Sequence, residues 1–93
     1  MKLKDKFIIA DLKDNVATAR AEVDSGTVLT SDDGVQITVK EHIPFGHKIA
    51  LKDIPKDEPI IKYGQRIGVA TSNISTGELV HTKNLAGERG RGA

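Results

Sequence analysis

Four times along this chain an apolar residue is followed by two turn-forming residues and then by glycine or aspartate. The units are Val23-Asp24-Ser25-Gly26, Ile43-Pro44-Phe45-Gly46, Ile54-Pro55-Lys56-Asp57 and Ile74-Ser75-Thr76-Gly77. Two or three residues after each unit comes another apolar residue: Val28, Ile49, Ile60 and Leu79. Glycine, and to a lesser degree aspartate, tolerates the positive φ that ends many tight turns. Each unit therefore reads as a buried anchor, a tight turn and entry into the next strand. Ser31-Asp32-Asp33-Gly34 and Tyr63-Gly64 add further turns. Short segments between turns at this density predict an all-β domain. The units are unevenly spaced, so they do not form a solenoid of one regular period.

The clearest strand is Val35-Gln36-Ile37-Thr38-Val39, with its odd-numbered residues on one face and Thr27-Val28-Leu29-Thr30 as partner. Asp33-Gly34 between them predicts a hairpin turn. Asp14 to Glu22 is ambiguous: propensity allows a helix capped by Asp14 or Asn15, while the surrounding β pattern favours a strand. That context predicts a strand. With 93 residues the chain is one domain, residues 1–93, ending in a flexible tail over 86–93. Phe7, Phe45 and Tyr63 are its only aromatic residues, so Ile, Val, Leu and Ala must build the core.

Several function classes fall away. Without cysteine there is no disulfide, thiolate metal site or Cys nucleophile, and a reducing cytoplasm is the expected location. The apolar run Phe7-Ile8-Ile9-Ala10 is too short for a signal-peptide core or a membrane span. A formal net charge of +1 gives no general attraction to nucleic acid.

The specific part of the chain is Ile43 to Leu85. Ile43-Pro44-Phe45-Gly46-His47-Lys48-Ile49-Ala50-Leu51 is followed by Ile61-Lys62-Tyr63-Gly64-Gln65-Arg66-Ile67-Gly68-Val69-Ala70, and then by Gly77-Glu78-Leu79-Val80-His81-Thr82-Lys83-Asn84. With the upstream Asp14-Asn15-Val16-Ala17, these four ordered motifs resemble the SAF-type domain of the altronate/galactarate dehydratase family over roughly residues 7–92. The resemblance implies a mostly β, SAF-type β-clip fold of short strands and tight turns. It implies a small subunit of a hydro-lyase acting on a sugar acid such as altronate or galactarate, or of a sulfolactate sulfo-lyase. Such a subunit is inactive alone and completes a site carried mainly by a large catalytic partner subunit. A divalent metal, iron or manganese, is implied, held mainly by that partner.

Elimination next to a carboxylate needs a base for the α-proton, stabilisation of the enolate oxygens and an acid for the leaving group. Within the matching motifs the resemblance offers His47 and His81 as catalytic residues. Lys48, Lys62, Tyr63, Gly64, Asn84, Asp14 and Asn15 become substrate-binding candidates, and His81 also a metal ligand beside ligands from the partner. Plainer readings stand alongside. His47 is also a turn histidine, and Lys48 and Lys62 alternate with apolar residues as solvated strand faces do. Tyr63 also reads as a packed ring, Gly64 as a turn former, and Asp14 and Asn15 as turn caps. His42 matches no motif and reads as surface.

Two departures stand out. The family's His-x-His-Asn element is His81-Thr82-Lys83-Asn84 here, and Asp11-Leu12-Lys13 occupies a stretch where relatives often carry a histidine. Both favour a subunit that completes a metal site over one that contains it. The ending Glu88-Arg89-Gly90-Arg91-Gly92 resembles that of stand-alone small subunits, which favours an intact chain with its arginines against partner carboxylates. Self-association stays open. The rival class is a non-catalytic SAF-type module that binds carbohydrate or protein.

Overall fold

The structure is a computed structural model, and it describes residues 1–81 and 84–87. Among the described residues a four-residue helix, α1 (Leu3–Lys6), leads into nine short strands: β1 (Phe7–Ile8), β2 (Val16–Ala19), β3 (Val28–Thr30), β4 (Gln36–Thr38), β5 (Lys48–Ala50), β6 (Pro59–Lys62), β7 (Gln65–Ala70), β8 (Leu79–Val80) and β9 (Leu85–Gly87). All pairing between strands is antiparallel, in a sheet ordered β1-β2-β5-β8, a hairpin β3-β4 and a sheet ordered β6-β7-β9. This is the mostly β, β-clip architecture expected. The ambiguous segment is strand β2, while α1 was not anticipated.

All four turn units form in the same way. The third residue of each turn has positive φ: Gly26 at 91°, Gly46 at 82°, Asp57 at 74° and Gly77 at 91°. The amide of that residue donates to the carbonyl of a buried residue in or just after a strand, Val39, Ala19, Ala70 and Ala50 respectively. The apolar anchors then clasp in pairs, Val23 against Ile43 and Ile54 against Ile74.

The uneven spacing hides a longer repeat. Ala17 pairs with Ile49, and 31 residues further on Lys48 pairs with Val80. Val28 pairs with Thr38, and by the same step Pro59 pairs with Val69. The two halves carry two core clusters that correspond residue by residue. Ala19, Val23, Leu29, Val39, Ile43 and Ile49 build the first, and Ala50, Ile54, Ile60, Ala70, Ile74 and Val80 the second. Each buried Ile, Leu or Val contributes roughly 1.5–3 kcal/mol, so these aliphatic positions dominate the folding free energy. The chief exception to the correspondence has a steric cause. Where the first half has Ile37, the second has Gly68, because β9 crosses so closely that a Cβ there would lie 2.5 Å from the Ala86 carbonyl oxygen.

Three local expectations are corrected. Ser31 and Val35 bond to each other across a three-residue loop, Asp32-Asp33-Gly34, in which only Gly34 has positive φ. That extra residue leaves Val35 exposed while Ile37 and Val39 are buried. Ala86 and Gly87, expected in the tail, pair with β7 instead. Residues 88–93, with the tail arginines, lie outside the described residues, as do Thr82 and Lys83.

Candidate functional site

A two-residue hairpin joins β6 to β7. Lys62 pairs with Gln65, and the two residues between them, Tyr63 and Gly64, both have positive φ, 57° and 70°. That combination is the two-residue turn whose twist suits antiparallel strands, and it strongly favours glycine. A non-glycine residue at its first position is uncommon. The turn leaves Tyr63 69% exposed, so its ring is not packed in the core.

Lys62 behaves unlike a solvated strand lysine. It follows Ile60 by two residues on β6, so its side chain leaves the strand on the core side, and it is only 3% exposed. Its Nζ lies 4.7 Å from the centre of the Tyr63 ring, a cation–π contact. Burial pushes its pKa below the ordinary lysine value. The Asp14 carboxylate opposes that shift and the nearby Lys48 ammonium adds to it. Lys48 stands on β5 two residues before buried Ala50, on the same face as that residue. Lys62 thus feels the charges of both Asp14 and Lys48, and with both ammonium groups protonated the three groups carry a net positive charge.

Asp14 and Asn15 hold this arrangement together. Asp14 Oδ1 accepts the Gly64 amide at 2.8 Å, and Oδ2 accepts the Asp11 amide at 3.1 Å. Asn15 fills a gap between β2 and β6. Its Oδ1 accepts the Ile61 amide at 2.7 Å, its Nδ2 donates to the Pro59 carbonyl at 2.9 Å, and its own amide donates to the Ile61 carbonyl at 3.2 Å. Both side chains are buried, and their bonds serve backbone groups. Asn84 is similar: it accepts the His81 amide and donates to the Leu79 carbonyl, fixing the turn after β8.

His47 and His81 are brought together by the next step of the β5–β8 ladder beyond Lys48 and Val80. Their ring centroids are 4.7 Å apart. His47 precedes Lys48 on the chain, so strand alternation directs it to the opposite face from the lysine cluster. The fold therefore sorts the candidate residues into two groups: Asp14, Asn15, Lys62, Tyr63 and Gly64 beyond the Ala50 end of the β2–β5 ladder, and His47, His81 and Asn84 beyond its Lys48 end. His42 is on the surface, as expected, between the carboxylates of Glu22 at 3.1 Å and Asp24 at 3.3 Å.

Sequence reasoning passed over Asp11. Its carboxylate lies against the hairpin, where a Cβ on Gly64 would sit 2.9 Å from Asp11 Oδ2. The available signal was its place three residues before the Asp14-Asn15 motif. As to the implied metal, two adjacent imidazoles offer at most two ligands. No group of three or more His, Cys, Asp or Glu side chains able to hold an ion occurs among the described residues. These residues do not make a complete metal site.

Comparison with known proteins agrees with the motifs. Residues 5–88 match the family described as the altronate/galactarate dehydratase SAF domain. The alpha subunit of (2R)-sulfolactate sulfo-lyase from Chromohalobacter salexigens is 38% identical, over 89% of this chain and 95% of that protein. Altronate dehydratases from Bacillus subtilis and Escherichia coli are 44% and 42% identical over 84% and 85% of this chain, but this covers only 16% of each enzyme. Family match, motif order and fold coincide across nearly the whole chain, which belongs to the SAF-domain family of the altronate/galactarate dehydratases.

Proposed function

We propose that this chain is the small subunit of a cytoplasmic lyase acting on a hydroxy acid, and that it completes a site carried mainly by a larger polypeptide. The observation that carries the reading is buried Lys62 against the Tyr63-Gly64 hairpin that Asp14 holds, with the Lys48 ammonium near enough to act on its charge. Two ammonium groups with one carboxylate, in a partly desolvated place, favour an anionic ligand over a neutral sugar. A carboxylate held there would have its negative charge stabilised as the α-proton leaves. His47 and His81 are the groups suited to moving protons near neutral pH.

The reaction class proposed is loss of water from a sugar acid such as altronate or galactarate. The end-to-end likeness to a sulfolactate sulfo-lyase subunit favours a second reading, elimination from a sulfonated hydroxy acid. Both substrates present the carboxylate that the lysine cluster suits. The divalent metal, iron or manganese, belongs in this proposal to the partner, with His81 as at most one of its ligands.

The test is co-expression with the dehydratase-type large polypeptide of the same organism, followed by assays with altronate, galactarate and sulfolactate. Turnover is expected only when both chains are present. Equal turnover without this chain would refute the reading. A non-catalytic binding module predicts that His81→Ala leaves ligand and partner binding intact and that no turnover depends on this chain.

A further inference from the structure

The turn that precedes β2 presents a leucine to water. Asp11 and Asp14 lock this turn from both ends. The Asp14 amide donates to the Asp11 carbonyl at 3.1 Å, the Lys13 amide to Asp11 Oδ1 at 2.9 Å, and the Asp11 amide to Asp14 Oδ2 at 3.1 Å. Leu12, at its tip, is 102% exposed. A turn bonded this thoroughly holds its tip in one place and loses little freedom when the tip is buried by another molecule. Beside it, Ile8 and Ile9 are 51% and 39% exposed. Ile8 belongs to β1, the edge strand of its sheet, so an open row of backbone donors and acceptors adjoins the apolar side chains.

Two grooves converge here. One of about 460 Å³ runs past Phe7, Ile8, Ile9 and Leu12, and a second of about 300 Å³ is lined by Ile9, Leu12, Leu51 and Asp14. Both share Ile9 and Leu12, and the second reaches the aspartate that sets the Tyr63-Gly64 hairpin. Asp11 itself touches that hairpin at Gly64. A body seated on Leu12 would therefore also lie against Asp11 and Asp14, the two carboxylates that meet the Tyr63-Gly64 hairpin.

We infer that the face formed by Ile8, Ile9 and Leu12 docks the large polypeptide of the lyase, with Leu12 as its central anchor. This rests on the small-subunit reading above. The choice of occupant follows from two facts. The face is continuous with the candidate site, which this chain leaves incomplete. In the altronate dehydratases, moreover, the matching segment is 16% of a longer chain, so there the same domain is joined to a much larger body. With Lys4, Arg20 and Asp32 around these apolar side chains, the face has the apolar centre and polar rim of a protein interface.

The test uses the full-length chain and the large dehydratase-type polypeptide of the same organism. Leu12→Asp and Ile9→Lys are compared with Val28→Asp, a 44% exposed position outside both grooves. Circular dichroism checks that each variant folds. Leu12→Asp is expected to weaken the complex at least 10-fold by titration calorimetry, Ile9→Lys similarly, and Val28→Asp less than 3-fold. A complex that forms with unchanged affinity for Leu12→Asp and Ile9→Lys overturns the inference and leaves the small-subunit reading standing. A wild-type chain that forms no complex overturns both. A dimer of this chain that Leu12→Asp dissolves, with the large polypeptide bound as before, assigns the face to self-association and also overturns the inference.

Discussion

Asn15 and Ile61 are joined by two hydrogen bonds, one from each backbone amide: Ile61 N–H to Asn15 Oδ1 at 2.7 Å and Asn15 N–H to the Ile61 carbonyl at 3.2 Å. A side chain here does the work of a strand neighbour, and a third bond to Pro59 completes the bridge. Asn15→Ala would leave a part-buried donor and acceptor on β6, the Ile61 amide and the Pro59 carbonyl, without this partner. The expected cost is about 2–3 kcal/mol by denaturant unfolding. Asn15→Asp is expected to cost at least as much, since it keeps the acceptor but loses the donor and buries a charge. A loss below about 0.5 kcal/mol for Asn15→Ala would show that β2 and β6 are held by packing alone.

Gly26 and Gly77 share a φ of 91°, but their surroundings differ. A Cβ at Gly26 meets nothing within 4 Å, whereas at Gly77 it would lie 2.0 Å from the Thr38 carbonyl oxygen. Gly26→Ala should therefore cost only the left-handed backbone penalty, about 1–2 kcal/mol. Gly77→Ala should cost several kcal/mol or abolish folding, because backbone must move. Thermal unfolding of the two variants side by side checks the difference, and equal melting temperatures would contradict the close packing of the two halves.

Asp57 is the non-glycine member of the four turn units, with a φ of 74°. Asp57→Gly relieves that conformation and is expected to stabilise the protein by about 0.5–1 kcal/mol after allowing for the greater freedom of the unfolded chain. Chemical denaturation at neutral pH measures this directly.

Lys62 makes stability depend on alkaline pH. Its pKa is lower folded than unfolded, chiefly through burial, so between the two values the unfolded chain binds more protons. Stability should therefore rise as pH climbs from the folded value toward 10.5, and the favourable contribution should be lost as pH falls through the folded value. Lys62→Met removes the buried charge and should be neutral or stabilising by about 1 kcal/mol at pH 7. The difference from wild type should shrink toward pH 10.5. In the assembled lyase the same substitution is expected to raise KM about 10-fold or more, since one anion contact is lost. Greater stability with unchanged KM would place Lys62 outside the substrate site.

His47→Ala and His81→Ala are each expected to lower kcat of the assembled enzyme roughly 100-fold, the usual scale of acid–base assistance, with little effect on assembly. If only one does so, the other imidazole serves to pack its neighbour.

The turns, the β class and the family motifs were legible in the sequence because they depend on residues close together in the chain. Positive φ demands glycine or a small polar residue at one position, and no distant contact is needed to see it. The hairpin at Tyr63-Gly64 belongs to this class, as does the strand choice at Val16–Ala19, where neighbouring β pattern outweighed helix propensity. The 31-residue repeat was partly legible: its anchors were recognised, but their alternating spacing disguised it until the pairings Ala17–Ile49 and Lys48–Val80 were laid side by side.

The candidate site divides in the same way. Sequence by itself determined which polar residues stand in the motifs and which turns present them. Tertiary structure alone decided that Lys62 is buried rather than solvated and that Asp14 and Asn15 serve backbone groups near Gly64 and Ile61. It also decided that His47 meets His81 while Lys48 turns the other way, and that Leu12 is held out in water beside the site. The physical reason is sequence distance. Burial, a lowered lysine pKa and a bond spanning 46 residues are properties of neighbours brought together by folding, and local pattern carries no record of them.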